Sequence, residues 1–557
     1  MTSKMRRASI EAIERMVKDV SATEAEATRD RRLSLTMMNC IWARHTDAET
    51  VEPVQGEITG SVPSWLKGTL YRVGPGIIQV GDSCYNHPFD MLSVVQKYTV
   101  GPDPEDVTYR NKIIDSKYRD QAQLGGPITV QTDPFRTKLQ RFTSMFHNRR
   151  RSSLTKNGLG GLLGAGGSPG GSGICDNCID NICFFGHDMY IMSDIPHMLK
   201  IQPDSLETLG QVDLEEILPI KVASAHPQID EDGTVWNIGT NFDAKKGYSY
   251  VILKFDKSNP EWSGTMTLEN GKVLAEIPAR HKHAPSYFHS FGVTRDFIVF
   301  IEQPLFVQDE NRNGCGGESG SLHNSLKWRK TEMVYFYLML KSTGEILPVV
   351  YSSEPFFFFH VINAFQPDEK YVFLDIVAYK DADIISDLKF SHIERTDHVP
   401  TATPIRVKLP LHASMSNCKI VVRKELLVPE TTLEFPRINY KYMGRPNKYF
   451  YALGNEYLHP NRILKVDTTC GDITSWKDPG HFVSEPVFVA RPNSTNEDDG
   501  VLLFTLLSAS ALCTVQLVIL DASDFAEVAR ISFRASGTVP EGFHGIFVQD
   551  SDEHHRY

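Results

Sequence analysis

Hydrophobic residues along most of this chain gather in short runs of β-type composition separated by turn residues, and sustained helical periodicity is rare. From about residue 56 onward the runs follow one another closely. Gly68-Thr69-Leu70-Tyr71-Arg72-Val73-Gly74-Pro75-Gly76 reads as a strand entering a tight turn, and 235–239, 250–255, 297–301 and 371–375 read as further strands. Asp230-Glu231-Asp232-Gly233-Thr234 and Asn270-Gly271 carry the turn chemistry between them. Such a succession predicts an all-β fold, and a β-propeller closes that many strands without leaving long exposed edges. No crisp repeat of the WD or kelch kind marks the blades.

The stretch 501–520 carries no charge and is about the length that crosses a bilayer. Ser508-Ala509-Ser510 interrupts it and Asn496-Glu497-Asp498-Asp499-Gly500 precedes it, so 501–507 and 513–520 predict a buried hairpin instead.

Two segments depart from the β pattern. Residues 1–38 are rich in Arg, Lys, Glu and Ala, with Ile10, Ile13, Met16 and Val17 at helical spacing; residues 1–50 therefore read as a charged extension containing a short amphipathic helix. Without the continuous apolar run of a secretory signal, the expected compartment is the cytoplasm. In 144–173, Arg149-Arg150-Arg151 is followed by Leu159, Leu162 and Leu163 among many glycines, a composition that cannot bury a core and predicts a flexible surface insertion. It holds no phosphate-binding glycine motif. Basic charge beside exposed leucines suits peripheral contact with an anionic membrane surface; a solvated insertion is the alternative.

Charge and cysteine content narrow the classes. A net charge of -11 and a pI near 6.0 argue against a nucleic-acid partner. Nine cysteines, an odd and scattered number, fit free thiols better than a disulfide framework. Cys175, Cys178 and Cys183 contain a CxxC but no second pair or histidine at zinc-site spacing.

The chemistry gathers on histidines set in apolar surroundings. His360 follows Phe356-Phe357-Phe358-Phe359, His289 lies in Tyr287-Phe288-His289-Ser290-Phe291, His226 in Ala225-His226-Pro227, and His544 in Gly542-Phe543-His544-Gly545. A buried imidazole without a partner costs about 1–3 kcal/mol, so one such histidine reads as a hydrogen-bonded core residue. Four point to a buried metal site, open to iron, copper, zinc or nickel. His281, His283, His554 and His555 lie in polar stretches and read as solvated, and the spacing of His87, His187 and His197 does not make them ligands.

With these stretches in view, the chain resembles the carotenoid cleavage oxygenases, the family of animal β-carotene oxygenases and the retinoid isomerohydrolase. The likeness spans about residues 56–548 and rests on the 68–76 strand, Ala225-His226-Pro227-Gln228, Pro285-Ser286-Tyr287-Phe288-His289-Ser290-Phe291-Gly292, Phe359-His360-Val361-Ile362-Asn363, Glu434-Phe435-Pro436-Arg437-Ile438-Asn439, Ser484-Glu485-Pro486, 497–500 and Gly542-Phe543-His544-Gly545. It implies a seven-bladed β-propeller with a helical and loop cap over one face, formed as a single domain from 51 to 557. It also implies one Fe(2+) per chain on the propeller axis, bound by His226, His289, His360 and His544, with dioxygen as co-substrate. Spacings of 63 and 71 residues between the first three suit about one blade each, while 184 residues precede the fourth.

The resemblance further places carboxylates behind three imidazoles: Glu434 behind His360, Glu485 behind His544, and, behind His289, Asp194 where the family has glutamate. Aspartate is one methylene shorter, so the backbone must move inward, a water must bridge, or the contact is weak. Met91 in Phe89-Asp90-Met91 replaces a family glycine and suggests a different turn. The implied activity is oxidative cleavage of a carotenoid polyene, with central 15,15′ cleavage to retinal ranked ahead of eccentric 9′,10′ attack. Retinoid ester isomerohydrolysis and an inactive carotenoid-binding protein are the alternatives. The apolar substrate, carotenoid or retinoid, wants an aromatic tunnel, and Phe356, Phe357, Phe358, Phe359, Phe288, Phe291 and Phe543 are the candidates, about half of which must face the core.

Overall fold

The computed structural model describes residues 41–125, 176–256, 268–307, 322–392, 400–411, 418–429, 431–456 and 459–550. The amphipathic segment at residues 10–17, the insertion at 144–173, Cys175, His554 and His555 lie outside these residues.

Hairpin follows hairpin to form, among the described residues, seven sheets of four to six strands, antiparallel except where Cys418–Val421 runs parallel to Val349–Ser353; they are the blades of a β-propeller, with two small two-stranded ribbons beside them. The first blade is built on Gly68–Ile77, Leu92–Val100 and Thr108–Ile113. The second runs from Asn181–Phe185 to Thr208–Asp213, the third from Val222–Ala223 to Gly271–Pro278, and the fourth from Gly292–Val293 through Val349–Ser353. The fifth begins at Phe357–Asp368, the sixth at Leu433–Arg437, and the seventh runs from His481–Val483 to Glu527–Arg534. Two pairings join the chain ends: the final strand, His544–Gln549, adds to the first blade beside Gly68–Ile77, and Glu57–Gly60 adds to the seventh beside Glu527–Arg534. Ring closure therefore removes the edges that an open stack of sheets would expose.

Seven hydrophobic clusters fill the seven seams between successive blades, including the seam of the seventh with the first. Each central strand is covered on both faces, which is why its sequence is continuously apolar. The predicted hairpin forms from Gly500–Ser508 and Thr514–Asp521. Along its first strand Leu502, Phe504 and Leu506 enter the seam with the sixth blade, while Val501, Leu503 and Leu507 enter the seam with the first. The same alternation divides the phenylalanine run. Phe356 and Phe358 pack between blades four and five, Phe357 and Phe359 between five and six.

The other predicted strands form within Gly68–Ile77, Val235–Asp243, Gly247–Phe255, Phe297–Glu302 and Tyr371–Tyr379. The 230–234 turn closes by an Asp230 N–H bond to the Thr234 carbonyl at 2.8 Å, with Gly233 at φ +84°. Met91 adopts φ -64°, ψ 154°, an extended conformation open to any residue, so glycine is not needed there. Short helices at Pro88–Asp90 and Asp383–Asp387 lie over the blades beside the site described next. Among the described residues no helix is long and apolar enough to cross a membrane.

Candidate metal centre

The four histidines arrive from blades three, four, five and one. His226 sits between Val222–Ala223 and Gln228–Ile229, His289 just before Gly292–Val293, His360 within Phe357–Asp368, and His544 at the start of the closing strand. The register of the fifth blade slips between Phe358 and Val361, and this bulge re-aims His360 out of the regular alternation. One ligand-type nitrogen from each histidine lies within 4.8 Å of the others. The His226 and His289 Nε2 atoms are 2.8 Å apart and those of His360 and His544 are 3.3 Å apart.

The three remaining blades supply the carboxylates. His289 Nδ1 donates to Asp194 Oδ2 at 2.6 Å, His360 Nδ1 to Glu434 Oε2 at 2.6 Å, and His544 Nδ1 to Glu485 Oε1 at 2.8 Å. Each carboxylate fixes one ring hydrogen on Nδ1 and leaves the Nε2 lone pair facing inward. The short Asp194 side chain therefore reaches its imidazole directly, with Oδ1 also accepting from the Ala225 N–H at 3.0 Å and Oδ2 from the Tyr287 hydroxyl at 2.9 Å. His226 lacks a carboxylate; its Nδ1 lies 3.5 Å from Asn181 Nδ2.

Lone pairs crowded together with no hydrogen between them repel, and a cation at their centre removes the repulsion. Metal–imidazole bonds are about 2.0–2.1 Å long, so adjacent ligands stand about 3 Å apart, close to the 2.8 and 3.3 Å separations of the neighbouring pairs, and all four nitrogens lie within 4.8 Å. The set fits a metal ion. Burial, followed by the three other rings, lowers His226 well below its usual value; burial lowers His544 to about 4 despite Glu485. Both are thus neutral, as ligands must be. Burial also opposes charge on His289, but Asp194 outweighs it and raises that ring.

Several supporting residues carry no signal in a linear reading. Arg437 grips Glu485 with two bonds of 2.7 and 2.9 Å and also donates to the Gly545 carbonyl at 2.6 Å. Burial would raise the Glu485 carboxyl, yet Arg437 and then His544 hold it well below the usual range. Ser224 accepts from the His226 N–H at 3.0 Å and donates to the His289 carbonyl, while Ser290 accepts from the Val361 N–H at 2.9 Å and donates to the Phe359 carbonyl at 2.6 Å. These serines tie successive histidine strands together. Phe435 follows Glu434 at φ +54°, a strained setting for an aromatic residue, and its ring lies 5.3 Å from His360 and 5.1 Å from His544.

His289, His360 and His544 form part of the wall of an apolar cavity of about 130 Å³ that opens to solvent. Trp42, Phe89, Phe359, Phe435 and Phe543 line it, with Ile384 and Leu388 from the covering segment. Of the phenylalanines singled out in the sequence, Phe359 and Phe543 reach this cavity. Phe288 packs in a seam between blades, and Phe291 borders a second, polar cleft that includes His226, Gln228, Asn363 and Arg437.

The remaining histidines serve elsewhere. His281 is held by Glu332 at 2.6 Å rather than left to solvent, and His87 is buried against the Ile385 carbonyl at 2.9 Å.

Comparison with known proteins agrees with this architecture. A beta,beta-carotene 15,15′-dioxygenase of Rattus norvegicus is 31% identical over 543 residues, covering 92% of each chain. A carotenoid isomerooxygenase of Galleria mellonella is 31% identical, covering 92% of this chain and 97% of its own. A mitochondrial carotenoid-cleaving dioxygenase of Mustela putorius furo is 29% identical, covering 90% and 95%. Among solved structures, a mutant of Synechocystis apocarotenoid oxygenase superposes with a TM-score of 0.71 at 24% identity, covering 92% of this chain and 99% of its own. The cobalt-substituted form of that enzyme superposes with a TM-score of 0.70 at the same identity and coverage. Residues 43–549 match the RPE65 family, retinal pigment epithelial membrane protein. With nearly the whole ring matched and the motifs of the carotenoid oxygenases in place, this chain belongs to that family.

Proposed function

We propose that the protein is a non-haem Fe(2+)-dependent dioxygenase that cleaves a double bond of a carotenoid polyene, with one iron per chain held by His226, His289, His360 and His544. The observation that carries this reading is the opening of a four-imidazole cluster onto an aromatic, mostly apolar cavity. Bound iron would supply dioxygen binding and activation. The chain's own residues orient and exclude. Asp194, Glu434 and Glu485 direct the rings, Arg437 keeps Glu485 ionised, and Phe359, Phe435 and Phe543 hold a hydrocarbon chain against the centre while keeping water away.

Central 15,15′ cleavage to retinal remains the preferred position, in keeping with the name of the Rattus relative. We place residues 51–557 in one domain, supported by the two pairings that tie the chain ends into the ring. A substrate that dissolves in lipid suits a cytoplasmic enzyme in peripheral contact with a membrane surface.

Metal-loaded protein given β-carotene in detergent under ¹⁸O-labelled dioxygen is expected to yield labelled retinal, and chromatography separates this from 9′,10′ products. Turnover that requires iron yet leaves every product unlabelled refutes the dioxygenase reading in favour of hydrolytic chemistry.

A further inference from the structure

The cavity wall beside His289 carries an acid that the proposed chemistry does not use. Asp180 lies in the segment leading into Asn181–Phe185 and borders the cavity together with Asn177, Ser193, Asp194 and Tyr287. Its backbone N–H is spent on the Met192 carbonyl at 3.0 Å, which fixes the residue at this wall.

The polar neighbours have committed their groups to the protein. The Asn177 amide donates to the Met91 carbonyl at 2.9 Å, and the Ser193 hydroxyl donates to the Asn177 carbonyl at 3.1 Å. Tyr287 donates to Asp194, and Asp194 holds His289 and the Ala225 N–H. The Ser193 side chain and the Asp194 N–H approach the Asp180 carboxyl and favour its charged form. A carboxylate has about four acceptor positions, so two donors leave acceptor capacity on a residue that borders the cavity. Burial, followed by the charge of Asp194, pushes this carboxyl above the usual carboxylate range.

An all-hydrocarbon chain seated here would strip water from that carboxyl and return nothing. An oxygen on the ligand would pair with it. Resting on the reading of this cavity as the substrate site, we infer that Asp180 is a specificity-determining residue that hydrogen-bonds a hydroxyl or carbonyl oxygen, selecting oxygenated polyenes over pure hydrocarbons.

Binding, read by quenching of tryptophan fluorescence in detergent, tests this independently of turnover. β-Carotene, zeaxanthin and a β-apocarotenal are titrated into the full-length protein, its Asp180→Leu and Asp180→Asn variants, and Asp180→Ala should the leucine variant be insoluble. At least one oxygenated polyene is expected to bind the parent about tenfold more tightly than β-carotene. Asp180→Leu should reduce that preference to within twofold, largely by tightening β-carotene, and Asp180→Asn should keep most of it. A parent without preference, or a preference that Asp180→Leu leaves intact, overturns the inference. So does a leucine variant that weakens all three ligands alike and loses bound metal, which would make Asp180 a prop for Asp194. Failure of the metal-loaded parent to turn over any polyene would count against the cleavage reading alone, since the binding ratios still decide the role of Asp180.

Discussion

Replacing Glu485 by Gln changes one atom, yet every contact of this side chain depends on its charge. Oε1 receives His544 Nδ1 at 2.8 Å and Arg437 Nε at 2.7 Å; Oε2 receives Arg437 Nη2 at 2.9 Å and the Gly545 N–H at 3.0 Å. Whichever position the amide nitrogen takes, it meets two donors, and the Arg437 guanidinium loses its counter-charge. Glu485 is 1% exposed, so water cannot substitute. Breaking a buried ion pair from one side costs about 3–5 kcal/mol. That is roughly a hundredfold to a few thousandfold in the unfolding equilibrium. Loss of a carboxylate behind a ligating imidazole typically lowers metal affinity by about 10–100-fold.

Urea unfolding of metal-free Glu485→Gln, together with a cobalt titration followed by visible absorption, reads both effects. The folded protein holds this carboxyl below its ordinary value near 4.5. Its contribution is therefore complete above that value and is lost as pH falls below it, so the parent should weaken more steeply than the variant between about pH 5 and 3. A variant whose stability stays within about 1 kcal/mol of the parent, and which binds cobalt within about threefold and follows the same acid profile, would refute the reasoning.

Other outcomes follow from the same geometry. His360→Ala removes one of the four converging nitrogens and its bond to Glu434, and should reduce retained metal by at least about tenfold and abolish turnover, as elemental analysis and product chromatography would register. Phe543→Ala removes the ring that meets Trp42 at 5.4 Å and Phe435 at 6.5 Å, and should cost about 3–5 kcal/mol in urea unfolding while shifting the product distribution by widening the cavity. Phe504→Ala, in the seam between blades six and seven and 5.0 Å from the Trp476 ring, should destabilise by about the same amount yet leave metal stoichiometry unchanged, separating seam packing from the centre.

Much of the fold is legible in the linear chain because blade strands are covered on both faces. Runs such as 501–507 must then be continuously apolar, and turns such as 230–234 must carry glycine and aspartate at set positions. The four histidines stand out for the same reason, since imidazole in an apolar strand needs a partner. Glu434, Glu485 and Asp194 are legible in the sequence only through family resemblance, and their hydrogen bonds emerge only when blades two, six and seven are set against the ring of histidines.

Residue order by itself therefore determines a succession of β hairpins and the imidazoles lodged in it, because alternation, turn chemistry and the cost of burying a polar ring are local properties. Tertiary structure alone decides that Phe359 and Phe543 face the cavity while Phe356 and Phe358 do not, that Arg437 secures Glu485, and that Asp180 opens onto the wall beside His289. Those outcomes depend on a bulge, on ring closure and on which neighbour reaches a given oxygen first, and each is a relation between strands far apart in sequence.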